Sequence, residues 1–128
     1  YTGDDGMTLV ELAPYGVIGS ITPSTNPSST IINNSISMVA AGNAVVYNPH
    51  PGAKDVCLET MSLLNKAIHS VGGPKSLLTA PRNPSMDTSK VIMTHKDIRM
   101  LAVTGGEAVV QVAMKSGKKV IAELKKEY

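Results

Sequence analysis

Apolar residues in this chain fall into short blocks, and blocks suited to strands alternate with blocks suited to helices. Residues 8–12 and 16–22 are predicted strands separated by Pro14. The second holds Val17-Ile18-Gly19-Ser20-Ile21, short, apolar and partly β-branched, as a buried strand requires. Thr22-Pro23-Ser24-Thr25-Asn26-Pro27-Ser28-Ser29 follows as a loop, with Ser28 or Ser29 expected to cap the next helix. That helix places Ile32, Ile36, Val39 and Ala40 on one face and stops at Gly42-Asn43. A second buried strand, 44–47, runs into Asn48-Pro49-His50-Pro51-Gly52. The helix starting near Ala53 carries a stripe of Val56, Cys57, Met61, Leu64, Ala67, Ile68 and Val71, and Gly72-Gly73-Pro74 ends it. Residues 76–79 read as a third strand, 80–84 as a loop and 85–94 as a short helix. A fourth strand (100–103), a helix (107–116) and a fifth strand (119–121) complete the pattern.

Strand and helix in alternation, at this spacing, predict parallel strands joined by right-handed crossovers. The expected fold is α/β: a doubly wound, Rossmann-like parallel sheet of about five strands. Residues 1–121 form that domain, and 122–128 form a charged tail. In such sheets ligands sit at the carboxyl ends of the strands, so the loops after Ile21, Tyr47, Thr79 and Val103 are where chemistry is expected.

Composition narrows the classes. Hydrophobic residues make up 42% and charged residues 17%, which suits a folded domain. With no Trp, no Phe and 3% aromatic residues, the core is aliphatic and base stacking is scarce, against a single-stranded nucleic-acid role. Twelve Lys and Arg against ten Asp and Glu leave a charge of +2, too small to call for a polyanion. The basic cluster Lys115, Lys118, Lys119, Lys125 and Lys126 reads as a solvated helix end and tail. The single cysteine permits no internal disulfide, and no apolar run reaches the length of a membrane span. The first six residues lack the basic and apolar parts of a signal peptide, and the absence of a starting Met suggests a fragment or a processed product.

Three loops offer chemistry. Thr104-Gly105-Gly106-Glu107 lets backbone approach a ligand and presents free N–H groups to a phosphate. It matches neither G-x-G-x-x-G nor the Walker pattern, and taken alone a tight turn explains it better. Two prolines hold His50 in a fixed place, either as a wall beside a ribose or adenine or as a plain structural turn. Ser24, Thr25 and Asn26 bring short donors to a strand end, where an oxyanion is steadied. Cys57 lies on an apolar helix stripe and reads as a buried structural thiol. His69 and His95 show no metal-ligand spacing, and no metal site is predicted.

These motifs together resemble one family. Ala13-Pro14-Tyr15-Gly16-Val17-Ile18-Gly19, Thr22-Pro23-Ser24-Thr25-Asn26-Pro27 and Ile31-Ile32-Asn33-Asn34-Ser35-Ile36-Ser37-Met38 are similar to the CoA-acylating aldehyde dehydrogenases. Ala41-Gly42-Asn43-Ala44-Val45, Pro49-His50-Pro51-Gly52-Ala53-Lys54, Thr104-Gly105-Gly106 and Ser116-Gly117-Lys118-Lys119-Val120-Ile121 continue the match in order. Within that family they resemble the acetaldehyde and propionaldehyde dehydrogenases of ethanolamine- and propanediol-using bacterial microcompartments.

The resemblance implies an NAD-binding domain of an enzyme that oxidises a short aldehyde to its acyl-CoA, with coenzyme A as co-substrate in much the same crevice. It implies that Thr22, Pro23 and Ser24 border the nicotinamide half, and that Asn48, Pro49 and His50 line the ribose and adenine side. Thr104, Gly105 and Gly106 then face the pyrophosphate, and Ala80 and Pro81 lie near the adenine. Thr25 or Asn26 takes the place of the asparagine that holds the oxyanion in hydrolytic relatives. It further implies an oligomer in the full-length enzyme, in the cytoplasm or inside a microcompartment, with no nucleic-acid or membrane partner. The family's catalytic cysteine is expected beyond the present sequence, leaving this chain inactive alone. The tail Ala122-Glu123-Leu124-Lys125-Lys126-Glu127-Tyr128 departs from the family's glycine-rich continuation. The alternative is a stand-alone nucleotide-binding or regulatory module that associates with full-length subunits.

Overall fold

A computed structural model describes residues 2–124 of the chain. A small antiparallel ribbon, β1 (Thr2–Gly3) with β2 (Gly6–Met7), precedes the main body. Then come β3 (Val17–Thr22), α1 (Pro27–Ala40), β4 (Ala44–Pro49), a 3-10 turn (Pro51–Ala53) and α2 (Lys54–Ser70). They are followed by β5 (Leu78–Thr79), α3 (Met86–Thr94), β6 (Ile98–Gly105), α4 (Glu107–Met114) and β7 (Lys119–Leu124).

Five strands form one sheet in the order β5-β4-β3-β6-β7, every pair parallel. Within this sheet the chain enters at the central strand β3, winds outward to β5, crosses back to β6, and winds outward to β7. This is the doubly wound sheet expected from the alternation, and its order reverses between β3 and β6.

Side chains alternate across the sheet and so divide the core in two. On one side, Ile21, Ile98, Leu101 and Val103 pack with Ile92 and Met93 of α3 and Val110 and Ala113 of α4. On the other, Val45, Tyr47 and Leu78 pack with Ile31 of α1 and Cys57 and Met61 of α2. Gly19 faces the first side where space runs out: a Cβ there would stand 2.5 Å from Ile92 Cγ2. Gly42 ends α1 at φ +83°, a conformation that suits glycine. Asn43 then seals that end, accepting from Gly16 N and donating to Met38 O.

Several expectations are corrected. Residues 8–12 form no strand: Leu9, Val10 and Leu12 are all at least 79% exposed, and alternation without a surface to bury it does not make a strand. Helix α1 buries Ile31 and Ser35, with Met38 and Val39 packed beside them, while Ile32, Ile36 and Ala40 face outward. The buried face is turned because Ser35 shares a hydrogen bond with the Tyr47 hydroxyl at 2.8 Å, and the same hydroxyl donates to Ile31 O. On α2, Cys57, Met61, Leu64 and Ile68 face the core as expected, but Val56, Ala67 and Val71 are exposed. Asn26, not Ser28 or Ser29, is the N-cap of α1. Its carbonyl collects Thr30 N and the hydroxyls of Ser29 and Thr30.

Strand β5 is shorter than expected, and β6 and β7 are longer. Ala122, Glu123 and Leu124 belong to β7, paired with Val103, Thr104 and Gly105. Lys125, Lys126, Glu127 and Tyr128 of the expected tail lie outside the described residues. Within the basic cluster, Lys118 is not merely solvated: its Nζ donates to His95 O (2.8 Å) and Ile98 O (2.6 Å). Lys119 Nζ lies 5.6 Å from the centre of the Tyr15 ring, within cation–π range.

Candidate functional site

At the carboxyl ends of β3, β4 and β6, where the strand order reverses, the chain leaves a cleft of about 310 Å³. Adjacent strands diverge there because their crossover helices lie on opposite faces, so no connection fills the gap. Thr22 and Pro23 come from the end of β3, Asn48 and Pro49 from the end of β4 and His50 beyond it, and Thr104, Gly105 and Gly106 from the end of β6. Ser85, Met86 and Ser89 from the start of α3 form one wall, and Val109 of α4 forms another. The first turns of α3 and α4 thus both open onto the same space.

The two walls differ in how their helices begin. Helix α3 has a full capping box: Thr88 N donates to Ser85 Oγ, and Ser85 N donates to Thr88 Oγ1. Helix α4 starts at Gly106, which offers no side chain to cap it. Its leading N–H groups, with the partial positive charge of the helix end, are left to a ligand or to water. A Cβ on Gly105 would lie 2.7 Å from Val109 Cγ1, so a side chain there would force Val109 to shift.

Polar atoms around the cleft have particular fates. Asn48 is buried and its amide is spent inside the protein, donating to Ser89 Oγ (2.7 Å) and Ser85 O (3.3 Å). Thr88 Oγ1 donates to Asn48 Oδ1 at 2.6 Å. His50 is exposed, and its Nδ1 accepts from Gly52 N at 3.1 Å, which steadies the turn into α2. Thr22 Oγ1 is the one buried side-chain oxygen or nitrogen without a partner of good geometry among the described residues. The Cys57 thiol beside it is a weak partner. Burial pushes that thiol up from its ordinary pKa, against a smaller downward pull from Thr22. Cys57 is therefore fully buried and poorly ionised, as an inert core thiol is.

Eight of the residues expected to bind coenzyme meet in this cleft: Thr22, Pro23, Asn48, Pro49, His50, Thr104, Gly105 and Gly106. Ser24, Thr25 and Asn26 do not line it; they belong to the loop that enters α1, where Thr25 Oγ1 donates to Asn26 Oδ1. Ala80 packs on the α1/α2 side of the sheet, and neither it nor Pro81 lines the cleft. The reading of single loops missed Ser85, Met86, Ser89 and Val109. Ser85 opens the helix expected over 85–94, but only the crossover brings it beside Asn48.

A larger hollow of about 540 Å³ lies at the opposite end of the sheet, lined by Val39, Gly42, Ile68, Val71, Gly72 and their neighbours. The carboxyl ends of α1 and α2 point there, and their partial negative charge disfavours an anion. Among the described residues no three His, Cys, Asp or Glu side chains are grouped to hold a metal, and no helix is long and apolar enough to cross a membrane.

Comparison with known proteins agrees with the geometry. The profile of the aldehyde dehydrogenase family matches residues 2–127. The chain is similar to EutE of Salmonella typhimurium, an acetaldehyde dehydrogenase (acetylating), with 52% identity over 94% of the chain and 26% of the relative. Among solved structures, a propionaldehyde dehydrogenase from the fucose utilisation microcompartment of Clostridium phytofermentans superposes with a TM-score of 0.90. It is 50% identical over 94% of this chain and 28% of its own. An engineered glycolyl-CoA reductase with bound NADP+ has a TM-score of 0.89 at 46% identity, over 94% of this chain and 27% of its own. The chain thus spans about a quarter of the length of the curated relative. With the family profile covering nearly all of it, and a doubly wound sheet open at its switch point, this chain belongs to the aldehyde dehydrogenase family.

Proposed function

We propose that the cleft binds a nicotinamide dinucleotide, and that the chain is the coenzyme-binding part of an enzyme that oxidises a short aldehyde to its acyl-CoA. The observation that carries this reading is the meeting of Thr22, His50 and Gly105-Gly106 at the switch point, beside an uncapped helix start. The residues present fit the group: glycine backbone admits a diphosphate, and the N–H groups of α4 supply its donors. Thr104, Gly105 and Gly106 hold the diphosphate, Pro49 and His50 flank the adenosine, and Thr22, Pro23 and Ser24 border the nicotinamide half. Thr25 and Asn26, in the loop before α1, are the candidates for steadying an oxyanion.

The nicotinamide supplies the hydride acceptor, and this chain's part is to bind, orient and shield it. Coenzyme A enters the same crevice as co-substrate, and the acetylating and glycolyl-CoA reductase names of the relatives support its part in the reaction. The chain does not contribute the nucleophile, because its one cysteine is buried on α2. The complete enzyme is an oligomer, and the microcompartment source of a structural relative supports placing it in such a compartment.

The test is calorimetric titration of the chain with NAD+ and with coenzyme A, beside an assay of aldehyde-dependent NADH formation. Binding of each, competition between them, and no turnover are expected. A folded sample that binds neither nucleotide defeats the ligand assignment, and turnover by the chain alone defeats the division of labour.

A further inference from the structure

Asn48 stands at the carboxyl end of the second strand of the doubly wound unit, where a side chain that reads the ribose is expected. Its side chain does not have that freedom. Both ends of the amide are engaged, and every partner belongs to one turn of α3: Ser85 O, Thr88 Oγ1 and Ser89 Oγ. Thr88 Oγ1 also accepts from Ser85 N in the capping box, so Asn48 grips the cap itself. Of these partners, Ser85 and Ser89 face the cleft and Thr88 does not. The connection from β5 to α3 is a loop, so no regular backbone pairing fixes where α3 begins.

We infer that Asn48 is a positioning residue rather than a ligand: it locks the first turn of α3 against β4 and thereby fixes the cleft wall on which the nucleotide lies. The inference rests on the proposed nucleotide site. It predicts that nucleotide affinity responds to Thr88, a residue that does not touch the cleft, through its bond to Asn48. Thr88→Val removes that bond, and the capping-box bond from Ser85 N with it, with little change of shape, whereas Thr88→Ser keeps both. Loss of these bonds weakens binding roughly fivefold or more.

The experiment measures NAD+ affinity by calorimetry for the wild-type chain, Thr88→Val, Thr88→Ser, Asn48→Ala and the Asn48→Ala/Thr88→Val double variant. Hydrogen exchange of the α3 amides is followed without nucleotide. Expected results are weaker binding by Thr88→Val, binding by Thr88→Ser within about twofold of wild type, and a further loss on adding Thr88→Val to Asn48→Ala that is smaller than its loss in the wild type, as coupled partners behave. The amide of Ser89, bonded to Ser85 O, exchanges faster in Thr88→Val while those of α4 do not. Because Asn48 is buried and Asn48→Ala risks unfolding, the Thr88 pair decides the question without it. If wild type binds NAD+ and Thr88→Val binds equally well, or if the losses in the double variant multiply, the positioning role is overturned and the cleft assignment stands. If wild type binds no NAD+, the cleft assignment falls and this inference with it.

Discussion

The two helical layers cover the sheet by different means. Under α3 and α4 the buried interior is apolar, built from Ile21, Ile92, Met93, Ile98, Leu101, Val103, Val110 and Ala113, with one buried polar pair, Asn48 and Ser89, at its cleft edge. Under α1 and α2 the buried set includes Ser20, Thr22, Ser35, Tyr47 and Cys57, with hydroxyls paired across the helix–sheet boundary. An apolar layer is fixed by volume and shape. A layer with buried hydroxyls is also fixed by who bonds whom, since an unpaired buried hydroxyl costs stability. The difference teaches that apolar spacing alone does not phase a helix such as α1, whose buried face is set by a hydroxyl pair.

The largest expected effect tests the dry layer. Gly19→Ala would drive a methyl against Ile92, Leu101 and Ile98, and such overpacking costs about 1–3 kcal/mol. Urea unfolding measures it, and an unchanged midpoint would mean that this layer has slack. Next is the cleft. Gly105→Ala presses a Cβ on Val109 in the first turn of α4 and is expected to weaken NAD+ binding about tenfold, or ~1.4 kcal/mol, by calorimetry. Equal affinity would show that backbone approach at Gly105 is not required.

The wetter layer gives smaller effects. Tyr47→Phe strips the partner from Ser35 Oγ and is expected to cost about 1 kcal/mol in urea unfolding. A gain in stability would show that the buried hydroxyl pair is a burden. The pH dependence is subtler. Burial pushes the Tyr47 phenol up to about 12 from an ordinary 10.0, despite the opposing bond with Ser35. The folded state therefore holds the proton more tightly than the unfolded one. The associated stability is complete below pH 10 and is lost as pH rises from 10 towards 12. The gap in stability between wild type and Tyr47→Phe should narrow between pH 9 and about pH 11, and a constant gap would contradict the assigned burial.

Much of the fold was legible because its strands are short apolar blocks between loops rich in Pro, Gly and Asn. Val17–Thr22 and Ile98–Gly105 are of this kind, buried on both faces, and alternation with helices implied parallel pairing. Helix α1 was misread because apolar count favoured Ile32 and Ile36, whereas burial follows the Ser35–Tyr47 bond, whose two ends are twelve residues apart. Residues 8–12 were misread because pattern does not reveal whether a surface exists to receive it. In the site, Gly105-Gly106 and Pro49-His50 were visible as loops at strand ends. The α3 wall was not, because the bonds from Asn48 to Ser85, Thr88 and Ser89 bridge some forty residues.

The central claim is that the cleft at the carboxyl ends of β3, β4 and β6 is the coenzyme site. Amide chemical shifts followed by NMR during titration with NAD+ test it most directly. The account predicts shifts concentrated at Thr22, His50, Ser89, Gly105 and Gly106, with Gly42, Asn43 and Gly72 at the opposite hollow unmoved. Shifts centred on that hollow, or none at saturating NAD+, would contradict it.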